Sequence, residues 1–87
     1  MESIIKAAVE LGLPQTTARK LVLQTVSGAA EYAHQSDKDL AELRQMVTSP
    51  GGTTAEALLQ FEKGGFSGLV RQAVSAAYNK ARELGNR

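Results

Sequence analysis

PQTTARKLVLQTVSGAAEYAH, residues 14–34, carries Ala18, Leu21, Val22, Thr25, Val26, Ala29, Ala30 and Ala33 at spacings of three and four. That period lines them up along one stripe of an α-helix and excludes a strand, whose faces alternate every two residues. Pro14 suits the first turn, where a missing N–H has no intrahelical partner to lose. Gly28 inside such a helix costs about 0.8–1 kcal/mol relative to Ala. With Ser27, Ala29 and Ala30 it forms a stretch nearly free of bulk. Close backbone packing is the physical reason to keep such a stretch. It fits either a tight crossing within the chain or a seam against a second one.

The same period extends in both directions. Glu2 to Leu11 places Ile4, Ile5, Ala8 and Val9 on one face, and Gly12 is placed to stop that helix. Ser36 or Asp37 can cap a third helix reaching Val47, with Leu40, Leu43 and Val47 inward. A fourth, Thr54 to Lys63, carries Ala55, Leu58 and Leu59 and ends at Gly64-Gly65. The last, Phe66 to Leu84, carries Leu69, Val70, Ala73, Val74, Ala77, Ala81 and Leu84 on one side. No β-branched alternation marks a strand, so the expected class is all-α, with about five amphipathic helices in one domain.

Of the hydrophobic residues that make up 43% of the chain, 13 are Ala, so apolar burial per residue is modest and the core is thin. Part of the apolar surface is therefore expected to lie against a second chain. The absence of Cys excludes disulfides and thiolate chemistry. A single His, His34, excludes a polyhistidine metal site, and its place near a helix end favours a dipole partner over a catalytic base. Ten basic and nine acidic residues are interspersed, and the four aromatics form no stacking set, so nucleic-acid binding is not expected. No apolar run reaches a membrane span, and Met1 leads directly into a charged amphipathic helix, so a soluble cytoplasmic protein is expected.

The stretch with the most chemistry is Met46-Val47-Thr48-Ser49-Pro50-Gly51-Gly52-Thr53-Thr54. It has no apolar side chain between Val47 and Ala55. It leads into the N-terminus of the fourth helix, where free N–H groups and the positive dipole end favour an anion. The N–H groups of Gly52, Thr53 and Thr54 can converge on a carboxylate or phosphate, helped by the hydroxyls of Ser49, Thr53 and Thr54. The Walker spacing and its lysine are missing, as is any G-x-G-x-x-G motif. The plainer alternative is a turn with a threonine cap. No activated nucleophile or paired carboxylate completes an enzyme, so any reaction draws on a cofactor held elsewhere.

Gly12-Leu13-Pro14, Gln24 to Ala30, Met46 to Thr54, Glu62-Lys63-Gly64-Gly65-Phe66 and Ala73-Val74 with Ala76-Ala77 together resemble the C-terminal domain of pyrroline-5-carboxylate reductases. The order and spacing agree over nearly the whole chain. The Val-Thr-Ser-Pro-Gly-Gly-Thr-Thr run is the specific part. The resemblance implies reduction of the C=N bond of pyrroline-5-carboxylate to L-proline, the last step of proline synthesis, with hydride from NADPH or NADH held on an N-terminal Rossmann domain. It implies a helical C-terminal domain that intertwines with a second copy, in some members within decamers. Ser49, Gly51, Gly52 and Thr53 would then grip the substrate carboxylate. Thr54 would place its hydroxyl at the ring nitrogen as the catalytic contact. Residues 1–87 would be that single dimerisation and substrate-binding domain, without the Rossmann domain or the Ser-Gly-x-Pro-Ala-Tyr stretch. The chain alone is accordingly expected to bind no nucleotide tightly and to transfer no hydride. The reading from another class is a non-catalytic helical interaction or anion-binding module.

Overall fold

The computed structural model describes residues 1–86, and among them every regular element is helical: α1 (Glu2–Glu10), α2 (Gln15–Gln35), α3 (Leu40–Met46), α4 (Thr53–Lys63) and α5 (Phe66–Gly85). The all-α reading holds. The chain divides into two compact units, one running from Met1 to Leu43 and the other starting at Arg44.

In the first unit α1 packs against α2. Gly12 stops α1 as the sequence requires. Its φ of +114° is open to glycine, and the turn closes by Gly12 N–H donating to the Val9 carbonyl and Leu13 N–H to the Ala8 carbonyl. These two bonds form the Schellman pattern that satisfies the last carbonyls of a helix. Pro14, with φ −59° and ψ 145°, is extended and sits at the cap of α2, one position before the helical turn in which it was expected.

The start of α3 departs from expectation. Neither Ser36 nor Asp37 caps it. The Ser36 hydroxyl instead accepts the Lys38 N–H at 3.1 Å, which holds the chain in a local turn. The first helical bond runs from Leu43 N–H to the Asp39 carbonyl. A hydroxyl that can satisfy a nearby backbone donor competes with the helix it was expected to cap. The result is a helix of seven residues in place of eleven or so.

In the second unit α4 packs against α5. Gly65, at φ +72°, turns the chain between them, and the rings of Phe61 and Phe66 meet across the corner at 4.9 Å and a 54° tilt. Such a tilted aromatic pair contributes about 0.5–1.5 kcal/mol beyond its area.

The thinness of the core is pronounced. Among the described residues the buried apolar ones are Ala18, Val22 and Leu43, and α5 buries none. Leu21, Val26, Leu69, Val70, Val74 and Leu84 of the expected stripes are exposed. Around Gly28 an added Cβ would meet nothing within 4 Å. The tight crossing within the chain is therefore not what keeps Gly28 small.

Candidate functional site

Arg44 to Ala55 lie in one unit, so the loop and the helix it feeds can be described together. The loop begins where α3 ends. Thr48 N–H donates to the Gln45 carbonyl at 3.1 Å, and the Thr48 hydroxyl donates to the Arg44 carbonyl at 2.6 Å. The chain then reverses over Ser49-Pro50-Gly51-Gly52, closed by Gly52 N–H donating to the Ser49 carbonyl at 2.9 Å. Proline at the second position and a glycine at φ +73° in the third are the requirements of a type II turn. Gly52, with φ −84° and ψ 176°, is the N-cap of α4.

This geometry alters the donor set expected from sequence. The Gly52 N–H is engaged in the turn and does not face outward to a ligand. Because Gly52 is the cap, the helix's first amides are those of Thr53, Thr54 and Ala55, and the first helical bond is from Glu56 N–H to the Gly52 carbonyl. No side chain caps the helix. Among the described residues, Thr53, Thr54 and Ala55 N–H have no hydrogen-bond acceptor, and neither do the hydroxyls of Ser49, Thr53 and Thr54. The sequence reading groups the donors around the two glycines and so leaves out the Ala55 amide, which the first turn of α4 orphans whether the cap is Gly52 or Thr53.

Gly52 has a steric role in place of the donor role. A Cβ there would lie 3.1 Å from the Ser49 carbonyl oxygen and 3.4 Å from the Ser49 Cβ. Ser49 and Thr53 are exposed, whereas Gly52, Thr54 and Ala55 are half-buried. The orphan amides and the dipole of an eleven-residue helix make this end electropositive. Glu56, in the first turn, works against that by placing a negative charge nearby. Chemically the arrangement offers three amides and three hydroxyls to a small anion, and no group that could act as a strong acid or base.

A groove of about 680 Å³ in the same unit is lined by Arg44, Leu58, Phe61 and Phe66 among others, and by none of the loop residues 48–54. His34 lies exposed in the last turn of α2, outside the unit that holds the loop. No cluster of His, Asp and Glu among the described residues is arranged to hold a metal ion, and no described helix is long and apolar enough to cross a membrane.

Comparison with known proteins covers nearly all of this architecture. Residues 1–84 match the family model described as pyrroline-5-carboxylate reductase dimerisation. A pyrroline-5-carboxylate reductase of Pseudomonas aeruginosa is 46% identical over 84 residues, and one of Pisum sativum is 45% identical over 84. Each alignment takes in 97% of this chain and 31% of the relative. Among solved structures, a Plasmodium falciparum pyrroline carboxylate reductase with NADP bound superposes with a TM-score of 0.88 at 42% identity, covering 91% of this chain and 32% of that one. The Streptococcus pyogenes 1-pyrroline-5-carboxylate reductase superposes at 0.89 and 32% identity, covering 92% and 31%. The chain thus spans about a third of the length of the curated relatives it matches.

Proposed function

The chain belongs to the pyrroline-5-carboxylate reductase dimerisation family, and from that premise we propose that it serves as the subunit-pairing and substrate-carboxylate-binding part of a reductase that converts 1-pyrroline-5-carboxylate to L-proline. The observation that carries the proposal is the set of unpartnered donors at the start of α4: the amides of Thr53, Thr54 and Ala55, with the hydroxyls of Ser49 and Thr53 beside them. A carboxylate accepts several such bonds at once, and charge-assisted bonds are about twice as strong as neutral ones. The type II turn brings Ser49 back toward the helix start. Gly51 supplies the positive φ that the turn needs, and Gly52, lacking a Cβ, lets the Ser49 carbonyl close on it.

The substrate's ring nitrogen is attached to the carbon that bears the carboxylate. A group that holds the carboxylate therefore also fixes where the nitrogen sits. We assign Thr54, next to the carboxylate amides and half-buried, as the residue whose hydroxyl meets that nitrogen. Reduction adds hydride to the imine carbon and leaves one proton on nitrogen. A hydroxyl that both donates and accepts can hydrogen-bond the nitrogen before and after that change. The hydride is supplied by NADPH or NADH when bound. This chain has no glycine-rich dinucleotide motif, and its donor set suits one small carboxylate, so the nucleotide is assigned to a domain outside these 87 residues. The exposed stripes of α2 and α5 are assigned to pairing with a second copy, in the cytoplasm.

Grafting tests both parts. This chain is exchanged for the matching third of the Pseudomonas aeruginosa reductase, and oxidation of the reduced nucleotide is followed with pyrroline-5-carboxylate. The graft is expected to turn over, and Thr54→Ala to lower kcat by roughly tenfold or more while the graft stays folded. Equal kcat in the graft and in its Thr54→Ala variant would remove Thr54 from the chemistry.

A further inference from the structure

Four hydroxyls stand between Val47 and Ala55, and three of them, on Ser49, Thr53 and Thr54, are without a partner in the described residues. The fourth, on Thr48, makes a 2.6 Å bond to the Arg44 carbonyl. This bond joins the last turn of α3 to the first residue of the loop. The Arg44 carbonyl also accepts the Val47 N–H, at a longer 3.3 Å. Thr48 is half-buried, while Val47, Ser49 and Pro50 around it are exposed.

We propose that Thr48 is a positioning residue: its hydroxyl clamps the loop to the end of α3 and so sets the turn that presents Ser49 and the α4 amides. Its value for binding a carboxylate rests on the function proposed above. The physical argument concerns what else could hold this segment. Between Thr48 and the first helical bond of α4, the hydrogen bond made by the loop is the one from Gly52 to Ser49, inside the turn itself. That bond shapes the turn but does not tie it to α3. Two bonds of Thr48 do, its N–H to the Gln45 carbonyl at 3.1 Å and its hydroxyl to the Arg44 carbonyl at 2.6 Å, and the hydroxyl's is the shorter and the one that depends on the side chain. A C-terminal carbonyl that accepts a hydroxyl as well as an amide is also better satisfied than one with a single long amide bond. A loop held in place before the ligand arrives does not have to be ordered on binding, which raises affinity without a new contact to the ligand.

The clamp requires the hydroxyl and not the methyl of Thr48. Thr48→Val keeps the shape and removes the bond, and Thr48→Ser keeps the bond and removes the methyl. In the purified 87-residue chain, amide exchange of Gly52 reports the turn directly, and L-proline is the binding probe. Thr48→Val is expected to speed Gly52 exchange and to weaken L-proline by roughly fivefold, with helical content unchanged and Thr48→Ser close to the original chain on both readouts. Unchanged Gly52 exchange in Thr48→Val would overturn the clamp, as would failure of Thr48→Ser to restore it. The carboxylate reading fails separately, if L-proline leaves the amides of Thr53, Thr54 and Ala55 in the original chain undisturbed. Faster Gly52 exchange in Thr48→Val would then still sustain the clamp.

Discussion

Gly51 and Gly52 look interchangeable in sequence but are needed for different reasons. Gly51 holds φ at +73°, where a Cβ costs about 1–2 kcal/mol, yet nothing lies within 4 Å of it. Gly52 is at an ordinary φ, but its Cβ would press on the Ser49 carbonyl at 3.1 Å. Gly51→Ala should therefore lower loop order and leave the bound geometry reachable. Gly52→Ala should shift Ser49 itself. We expect Gly52→Ala to weaken L-proline by roughly tenfold, ~1.4 kcal/mol, with the circular dichroism of the helices unchanged. An affinity equal to that of the original chain would mean that Ser49 is not a ligand contact. At this scale the site was partly legible. The Pro-Gly-Gly run and its anion-binding potential could be read from residue types alone. The assignment of individual amides could not be, because it depends on which of them the turn engages. The turn bond to the Ser49 carbonyl takes the Gly52 N–H out of the donor set, and the first turn of α4 adds the amide of Ala55.

Helices were the most legible level, because apolar spacing and glycine stops report on the same chain locally. Gly12 and Gly65 both take the positive φ that terminates or turns a helix. The start of α3 was not legible in the same way. Ser36 has a cap's chemistry, but its hydroxyl finds Lys38 N–H first, and the choice between two local hydrogen bonds differing by little is not written in residue type. The apolar stripes were legible as stripes, and their partner was not. Leu69 is 62% exposed and Val74 64% exposed on a helix that buries no residue within its own chain. Gly28 gives this a test at the level of one helix. With nothing within 4 Å of its Cβ position in its own chain, Gly28→Ala should favour the helix in an isolated peptide of α2 by about 0.8–1 kcal/mol, read by circular dichroism. Gly28→Leu should instead reduce self-association if α2 packs against a second copy there. Self-association undiminished in Gly28→Leu would move the seam away from that face.

For the molecule as a whole, the balance of surface is the deciding quantity. Among the described residues, Leu21 and Val26 of α2 and Leu69, Val70, Val74 and Leu84 of α5 stay exposed. The three apolar residues buried among the described ones cannot by themselves offset the conformational entropy of a chain this long, which in small domains calls for a further source of burial. On the pairing proposed above, a second copy supplies it, and the match to a dimerisation family supports that reading. Stability should then rise with protein concentration, because association and folding share one equilibrium. The most direct measurement is sedimentation equilibrium of the purified chain at micromolar concentration. The account predicts a species of twice the 9.2 kDa chain mass, or a higher even multiple. A folded, helical species at the single-chain mass would contradict it.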